Sequence, residues 1–331
     1  MSILVSGGTG FIGSHTVVTL LNAGYDVVIV DNFYNSSPSV LEKIETLTHK
    51  KPKFYQGDVS DGEFLESVFH PHKFQAIIHF AGYKAVGESV HLPLMYYRNN
   101  LLSTIVLAEK ALKYSVPQFI FSSSATVYGD QTSPMKESYP KGITTSPYGE
   151  TKAMSERILT DAALANPNLS VTLLRYFNPV GAHESGLIGE IPSGTPNNLM
   201  PYVTQVAKGK LKSLRVFGSD YPTVDGTGVR DFVHVVDLAE GHMAALKTHL
   251  AGVNIFNLGT GKGTSVLQLV DAFKRVNGVD VPLEFVDRRA GDIATSYADV
   301  TQAKERLHWE ARFGIDEMVR DAWKFEKQLT D

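Results

Sequence analysis

Tyr148 and Lys152 are the residues of this sequence whose types and spacing best suit proton transfer. They open a helical segment after Pro147, so a separation of four residues places the phenol and the ammonium group on one helix face. A cation held close to a tyrosine favours the phenolate form of that tyrosine. We therefore expect the pair to supply a base near neutral pH that takes a proton from a substrate hydroxyl group.

Three serines, Ser122-Ser123-Ser124, end the apolar segment that precedes this helix. In a doubly wound sheet, the carboxyl ends of the strands and the starts of the helices meet at one crevice. A serine hydroxyl group from this strand could then hydrogen-bond both the phenol and the oxygen atom of the substrate. This placement favours a catalytic interpretation of the Tyr–Lys pair over an exposed helix with an ordinary lysine.

A glycine-rich segment, Ser6-Gly7-Gly8-Thr9-Gly10-Phe11-Ile12-Gly13, follows the first apolar run. Between a strand and a helix, such glycines permit a tight turn and let backbone N–H groups approach a pyrophosphate. Asp31 ends the next predicted strand, where a carboxylate can accept hydrogen bonds from both ribose hydroxyl groups and would repel a 2′-phosphate. The pattern therefore favours NAD over NADP as the cofactor. Asp58, after the third predicted strand, could contact the adenine amino group or cap the next turn.

Short apolar runs alternate with amphipathic segments through the first half of the chain. Strands are predicted at 3–5, 26–30, 53–56, 76–79, 118–122 and 171–175, and helices at 11–23, 40–47, 64–69, 93–114 and 147–165. Strict alternation of strand and helix implies right-handed βαβ units. The expected fold class is therefore α/β, a doubly wound parallel Rossmann-like sheet with a smaller mixed α/β substrate-binding domain at the C-terminal end.

The segment 177–198 is rich in Gly, Pro, Ser and Asn and has no periodicity, so we expect a long functional loop. Beyond it, helices are predicted at 199–208, 236–247, 266–276 and 315–328, and strands at 214–216 and 229–233. We place an NAD-binding domain at residues 1–176 and a substrate-binding domain at residues 177–331, with some segments crossing between the two.

Composition narrows the possible partners and the compartment. The chain has 331 residues, 43% of them hydrophobic, a formal net charge of −4, and no cysteine. It has no basic tract to bind nucleic acid and no apolar stretch of about 18 residues to cross a membrane. The lack of cysteine excludes disulfides, thiol nucleophiles and zinc–thiolate sites and fits a reducing compartment. We expect a cytoplasmic protein that has no metal site.

Several motifs spread over nearly the whole chain resemble one known group. They include Gly7-x-x-Gly10-x-x-Gly13, residues 79–82 (HFAG) and 84–89 (KAVGES), 121–130 (FSSSATVYGD), 146–149 (SPYG), 174–183 (LRYFNPVGAH), 196–202 (PNNLMPY), 225–234 (DGTGVRDFVH) and Arg289-x-Gly-Asp292. The sequence is similar to the extended short-chain dehydrogenase/reductases and, among them, to the UDP-glucose/UDP-galactose 4-epimerases. The resemblance implies tightly bound NAD, a 4-keto intermediate and a homodimer formed by the helices at 93–114 and 147–165.

The resemblance also implies roles for individual residues. The catalytic set would be Ser124, Tyr148 and Lys152. The residues around NAD would be Gly7, Gly10, Phe11, Ile12, Gly13, Asp31, Asn32, Asn35, Asp58, Val59, Phe80, Ala81, Gly82, Lys84, Asn99, Ser122, Tyr148, Lys152 and Phe177. The residues around the UDP-sugar would be Lys84, Ser124, Tyr148, Asn178, Asn198, Leu199, Val216, Phe217, Arg230, Arg289, Asp292 and Ser296. Guanidinium groups suit this task, because their donors match diphosphate oxygens in a bidentate way. His234 and Asp237 are interpreted as structural residues.

Substrate range depends on one position in this resemblance. Four residues beyond Asp292 stands Ser296, where a bulky tyrosine would restrict an epimerase to hexoses and a small residue leaves room for a 2-acetamido group. We therefore expect UDP-N-acetylglucosamine and UDP-N-acetylgalactosamine to be substrates as well. A shift of the alignment by one residue would place Tyr297 there and reverse the expectation.

Three other functions remain open at this point. A nucleotide-sugar 4,6-dehydratase would need an acid pair after Ser124, where Ala125 and Thr126 stand instead. A UDP-glucuronate epimerase or decarboxylase would need extra cations for a carboxylate at carbon 6. A non-catalytic NAD-binding sensor would not need the Ser, Tyr and Lys set.

Overall fold

The computed structural model describes residues 2–192, 194, 196–289 and 291–329. The strands within these ranges are β1 (Ser2–Ser6), β2 (Asp26–Asp31), β3 (Lys53–Gln56), β4 (Phe74–His79), β5 (Gln118–Ser124), β6 (Ser170–Tyr176), β7 (Asn178–Val180), β8 (Leu214–Phe217), β9 (Val229–Arg230), β10 (Phe232–His234), β11 (Val253–Leu258), β12 (Thr264–Ser265), β13 (Leu283–Val286) and β14 (Thr295–Ser296). The α-helices are α1 (Phe11–Asn22), α2 (Ser39–Thr48), α3 (Gly62–Phe69), α4 (Val86–His91), α5 (Pro93–Lys113), α6 (Pro147–Ala165), α7 (Leu199–Ala207), α8 (Val235–Thr248), α9 (Val266–Asn277), α10 (Thr301–Arg306) and α11 (Ile315–Gln328).

A parallel sheet forms the centre of the molecule. Its strand order, within the described ranges, is β11-β6-β5-β4-β1-β2-β3, and every neighbouring pair is parallel. The order reverses at β1, so the chain winds first to one side of this strand and then to the other. Ligands bind at the carboxyl ends of the strands at such a switch point. The expected doubly wound α/β fold is confirmed.

Successive residues of the central strands enter different hydrophobic cores. In β1, Ile3 and Val5 pack with α1 and α8, whereas Leu4 packs on the opposite face with α3 and α5. Each of these strands is therefore covered on both faces, which explains the continuous apolar runs seen in the sequence. Because helices cover both faces of the sheet, a ligand can approach it at the carboxyl ends of the strands.

The second half of the chain has a hydrophobic core of its own. Phe232, Phe273 and Met318 belong to a cluster that joins α7, α9 and α11 with β8 and β13. The strand β11 also comes from this half but completes the central sheet beside β6. The boundary at residue 176 and the expected exchange of segments between the domains stay predictions.

Two expectations about the second half were wrong in detail. The single strand predicted at 229–233 is two strands, because Asp231 interrupts it with a buried carboxylate that accepts N–H groups from Thr260, Gly261 and Ala298. The segment 177–198 is not entirely loop, because β7 pairs with β10 and Ala182 bridges Gly189. Among the described residues, no helix combines the length and the apolar character needed to cross a membrane.

Candidate active site

The glycine-rich segment lies between β1 and α1 at the switch point of the sheet. Gly7 has φ +72°, and a Cβ there would lie 2.7 Å from the Ala81 backbone nitrogen. At Gly13 a Cβ would lie 2.1 Å from the carbonyl oxygen of Gly7, so helix and loop touch closely. The first-turn N–H groups of Phe11 and Ile12 have no intrahelical acceptors, and Gly10 has no side chain to cap them. This end of α1 therefore suits a diphosphate.

Asp31 lies at the end of β2 beside that segment. One oxygen, Oδ2, accepts the Thr9 backbone N–H at 3.1 Å, and the other, Oδ1, accepts the Phe33 backbone N–H at 2.9 Å. Oδ1 also accepts the Ser36 hydroxyl group at 3.4 Å, whereas Oδ2 keeps a second lone pair that can accept a hydrogen bond from a ribose hydroxyl group. These contacts fix the carboxylate at the carboxyl edge of the sheet, and the donor and acceptor set there fits NAD.

The remaining residues expected around NAD lie on the segments that follow β3 and β4. Asp58 accepts a hydrogen bond from the Asn32 amide at 3.3 Å and also caps the next turn through the Ser60 N–H at 2.8 Å. The N–H groups of Phe80 and Ala81 both donate to the Ser6 carbonyl. Gly82 and Asn99 both lie against the Asn100 side chain, whereas Asn35 is exposed and Val59 is buried.

The expected catalytic residues converge at the carboxyl end of β5. Ser124 hydrogen-bonds the phenol of Tyr148, a half-buried side chain. The Lys152 ammonium group lies 5.9 Å from the centre of the Tyr148 ring and donates to the Ser122 carbonyl at 2.6 Å. Helix α6 brings the two side chains here because Ser146 caps its start through the Gly149 N–H. The cluster can therefore bind a hydroxyl or carbonyl oxygen and move a proton.

Burial sets the proton affinities of this cluster. It raises the pKa of Tyr148 to about 12, against the lowering effect of the hydrogen bond from Ser124. Burial also lowers the pKa of Lys152 to about 8, against the raising effect of the Glu156 carboxylate. In the chain alone, the ammonium group donates to the Ser122 carbonyl rather than to the phenol. That Tyr148 and Lys152 together supply a base near neutral pH stays a prediction.

The residues expected to hold UDP come from several separate segments of the second half. Asn178 lies in β7, and Asn198 and Leu199 begin α7. Phe217 ends β8, and the Arg289 guanidinium group stacks on its ring at 3.9 Å. Arg230 donates to the carbonyl of Val229 and to the carboxylate of Asp292. The structure thus brings the aromatic ring and both arginines together.

Some of these residues have surroundings that the sequence did not indicate. Val216 is 1% exposed and belongs to the second core, so only its backbone is available to a ligand. Phe177 is also buried, at the end of β6. Ser296 pairs with Arg230 through β14 and β9, and its hydroxyl faces the Met135 sulfur at 3.9 Å.

Two carboxylates near the site were missed by sequence reasoning. Glu190 accepts hydrogen bonds from Lys84 at 2.8 Å and from Asn198 at 2.7 Å, so it joins the two halves of the chain. It lies in an aperiodic segment that gives no local signal. Glu156 is fully buried and pairs with Arg175. Its position four residues after Lys152 could have placed it on the catalytic face of α6.

The fold and the site are those of a dinucleotide-binding protein whose proton-transfer residues lie next to the cofactor site. The model of the NAD dependent epimerase/dehydratase family matches residues 3–259. The chain therefore belongs to this family, and the resemblance seen in the sequence is confirmed.

Named relatives match the chain over its full length. A UDP-glucose 4-epimerase of Pasteurella multocida is 57% identical over 99% of this chain and 98% of its own length. One of Bacillus subtilis is 57% identical over 98% and 97%. The crystal structure of UDP-glucose 4-epimerase from Bifidobacterium longum in complex with NAD+ and UDP has a TM-score of 0.96 and 51% identity, and the match covers 99% and 98% of the two chains.

Proposed function

We propose that this protein interconverts UDP-glucose and UDP-galactose by inverting carbon 4 of the sugar, with NAD as its retained cofactor. The observation that carries the proposal is the cluster of Ser124, Tyr148 and Lys152 at the same sheet edge as the glycine-rich segment. Relatives that carry the name UDP-glucose 4-epimerase and match the whole chain support it.

Different residues of the chain would bind NAD and transfer the proton. Phe11, Ile12 and Asp31 would hold NAD, which when bound supplies a hydride acceptor and donor and a positive ring that stabilises a nearby phenolate. Tyr148 takes the proton of the hydroxyl group at carbon 4 while the hydride leaves that carbon, and Ser124 hydrogen-bonds the same oxygen. The product of this half-reaction is a 4-ketohexose still linked to UDP.

Inversion requires the ketone to present its other face before hydride and proton return. Arg230, Arg289 and Asn178 would hold the UDP part, so the binding energy does not fix the sugar and rotation about the bond to phosphate stays possible. Tyr148 then returns the proton to the oxygen at carbon 4. Oxidation and reduction cancel, so the cycle needs no exchange of cofactor.

Substrate range extends this proposal. Ser296 is small and adjoins Arg230 in the register of β14 and β9. This supports acceptance of the N-acetyl sugars UDP-N-acetylglucosamine and UDP-N-acetylgalactosamine in addition to the hexoses.

A homodimer and a cytoplasmic location complete the proposal. Apolar side chains are exposed along one side of α5, at Leu94, Leu102, Ile105 and Leu112, and α6 packs beside this helix. Such a stripe fits a symmetric helical interface with a second copy.

Cell fractionation would test the proposed cytoplasmic location, and recovery of the protein with membranes would contradict it.

The proposed function is tested by incubating the purified protein with each of the four UDP-sugars and no added cofactor. We expect each hexose to yield its carbon-4 epimer, and each N-acetyl sugar to do the same. Release of water from the substrate without an epimer would instead indicate a dehydratase. Turnover of the hexoses alone would contradict only the extension to N-acetyl sugars.

A further inference from the structure

Two tyrosines outside the expected NAD-binding set meet across the cofactor crevice. Tyr34 lies in the segment between β2 and α2, and Tyr83 lies in the segment between β4 and α4. Their ring centres are 4.5 Å apart, and the ring planes are inclined by 46°. Residues on both sides of each tyrosine, such as Asn32 and Asn35 or Gly82 and Lys84, are expected to surround NAD.

The sheet order shows what this contact must span. β2 and β4 are not neighbours, because β1 lies between them and pairs with both. Neighbouring strands are about 4.8 Å apart, so the ends of β2 and β4 are separated by roughly 10 Å. The glycine-rich segment leaves β1 in the middle of this interval. The two rings therefore join the segments on either side of the glycine-rich segment, which would hold a diphosphate.

The two tyrosines are held very differently. The backbone of Tyr83 is fixed by Asn100, which accepts its N–H at 2.8 Å and donates to its carbonyl at 3.0 Å. Its ring also packs against Tyr96, with ring centres 5.5 Å apart. The Tyr34 side chain is 56% exposed, and its backbone N–H donates to Asn32 at 3.0 Å. Tyr83 is thus held in place by its neighbours, whereas Tyr34 is exposed and contacts the Tyr83 ring.

The backbone before Tyr34 directs it across the crevice. Phe33 has φ +59°, a left-handed conformation that is uncommon for a residue other than glycine. Its N–H is held by Asp31 and its ring packs on Phe54, with ring centres 5.0 Å apart. These contacts hold the chain in the turn that projects Tyr34 away from β2 and towards Tyr83.

We propose that Tyr34 and Tyr83 form a clasp over the bound dinucleotide and slow its dissociation. The inference rests on the proposed function, because it takes the crevice to be the NAD site. The proposed reaction regenerates NAD in every cycle, so a closed crevice does not limit turnover. Opening requires loss of the ring contact, and the exposed Tyr34 is the residue that moves.

The rate of dinucleotide release tests the clasp without any turnover. Protein loaded with NADH is mixed with excess NAD+, and the loss of bound NADH fluorescence is followed. Tyr34→Ala should release NADH roughly 3- to 10-fold faster, the range expected from loss of an aromatic pair. Tyr34→Phe keeps the ring and should release NADH at the wild-type rate.

A double-variant comparison shows whether the two rings act through each other. Tyr83→Ala should also accelerate release, and Tyr34→Ala with Tyr83→Ala together should be no faster than the faster single variant. The clasp would be overturned if the rate increases of the two single variants multiply in the double variant. It would also be overturned if Tyr34→Ala releases NADH at the wild-type rate. Wild-type protein that binds NADH but forms no epimer would overturn the proposed function and leave the clasp standing. Wild-type protein that binds no NADH would overturn both.

Discussion

The buried ammonium group of Lys152 lowers the stability of the fold but places a cation beside Tyr148. The ammonium group is removed from water and keeps one strong contact, its hydrogen bond of 2.6 Å to the Ser122 carbonyl. Desolvation therefore lowers the pKa of Lys152 to about 8. A charge that costs free energy to bury is retained at the position where the proposed reaction needs a cation beside Tyr148.

Replacement of Lys152 by methionine should change how stability depends on pH. The unfolded chain binds the lysine proton up to a pKa of about 10.4, whereas the folded protein releases it near pH 8. Between these values the unfolded state binds more protons, so the free energy of unfolding of the wild type rises with pH. Lys152→Met should lack this rise, as measured by urea unfolding at pH 7.5 and 9.5. Equal slopes in the two proteins would contradict the burial of a charged lysine.

Ser296 is the single residue proposed to decide whether N-acetyl sugars are accepted. Ser296→Tyr should lower turnover of UDP-N-acetylgalactosamine at least 10-fold relative to UDP-galactose, because the large ring fills the space proposed for the acetamido group. Ser296→Ala keeps the space and should preserve the ratio of the two activities. Steady-state kinetics with both substrates decide the question. An unchanged ratio in Ser296→Tyr would place the determinant elsewhere.

At the scale of elements, α6 carries Tyr148, Lys152 and Glu156 at successive four-residue steps on one face. Glu156 accepts hydrogen bonds from Arg175 at 2.9 and 2.8 Å and from Ser123 at 2.6 Å. The helix is thereby tied to both strands that end at the site, because Ser123 lies in β5 and Arg175 in β6. This carboxylate also supports the charge of Lys152.

The buried pair should contribute far more to stability than an exposed pair on the same helix. Glu156→Gln leaves the charge of Arg175 without a partner and should lower the free energy of unfolding by about 3–5 kcal/mol. Asp161→Asn removes the exposed partner of Arg157, which lies four residues earlier on α6, and should cost less than about 0.5 kcal/mol. Chemical denaturation of both variants gives the comparison. Similar losses would show that the network around Glu156 does not hold α6.

Patterns within single elements were sufficient to predict six of the seven strands of the central sheet, whereas β11 was not predicted. The runs that became β1 and β2 are continuously apolar, and Asp61 and Ser146 cap the starts of α3 and α6, so local sequence determined these elements. Asp231 shows why the smaller sheets were harder. It interrupts an apolar run because its carboxylate meets backbone N–H groups from Thr260 and Ala298, far along the chain. The same limit applies to Glu190, whose partners Lys84 and Asn198 lie on separate segments.

At the scale of the whole molecule, the site lies where the two halves of the chain face each other. The first half provides the glycine-rich segment, Asp31 and the Ser–Tyr–Lys cluster, and the second half provides Arg230 and Arg289. Glu190 joins them through Lys84 and Asn198. In the proposed function, the first half would retain NAD while the second half binds and releases the nucleotide part of the substrate.

The proposed homodimer should depend on the exposed side of α5. A glutamate in place of Leu102 would put a charge in an apolar interface, so we expect Leu102→Glu to shift the protein towards monomer in sedimentation experiments. Val224→Glu places the same charge on another exposed apolar position, 77% exposed, and should leave the mass unchanged. A wild-type protein that sediments as a monomer would contradict the proposed interface.

The central claim is that a hydride leaves carbon 4 and returns to the same carbon within one molecule of protein. The most direct measurement follows UDP-galactose deuterated at carbon 4 in ordinary water without added cofactor. Wild-type protein should form UDP-glucose that retains the deuterium at carbon 4, and Tyr148→Phe should form it about 10²- to 10⁴-fold more slowly. Formation of UDP-glucose that has lost the deuterium to water, or no UDP-glucose at all, would contradict the account.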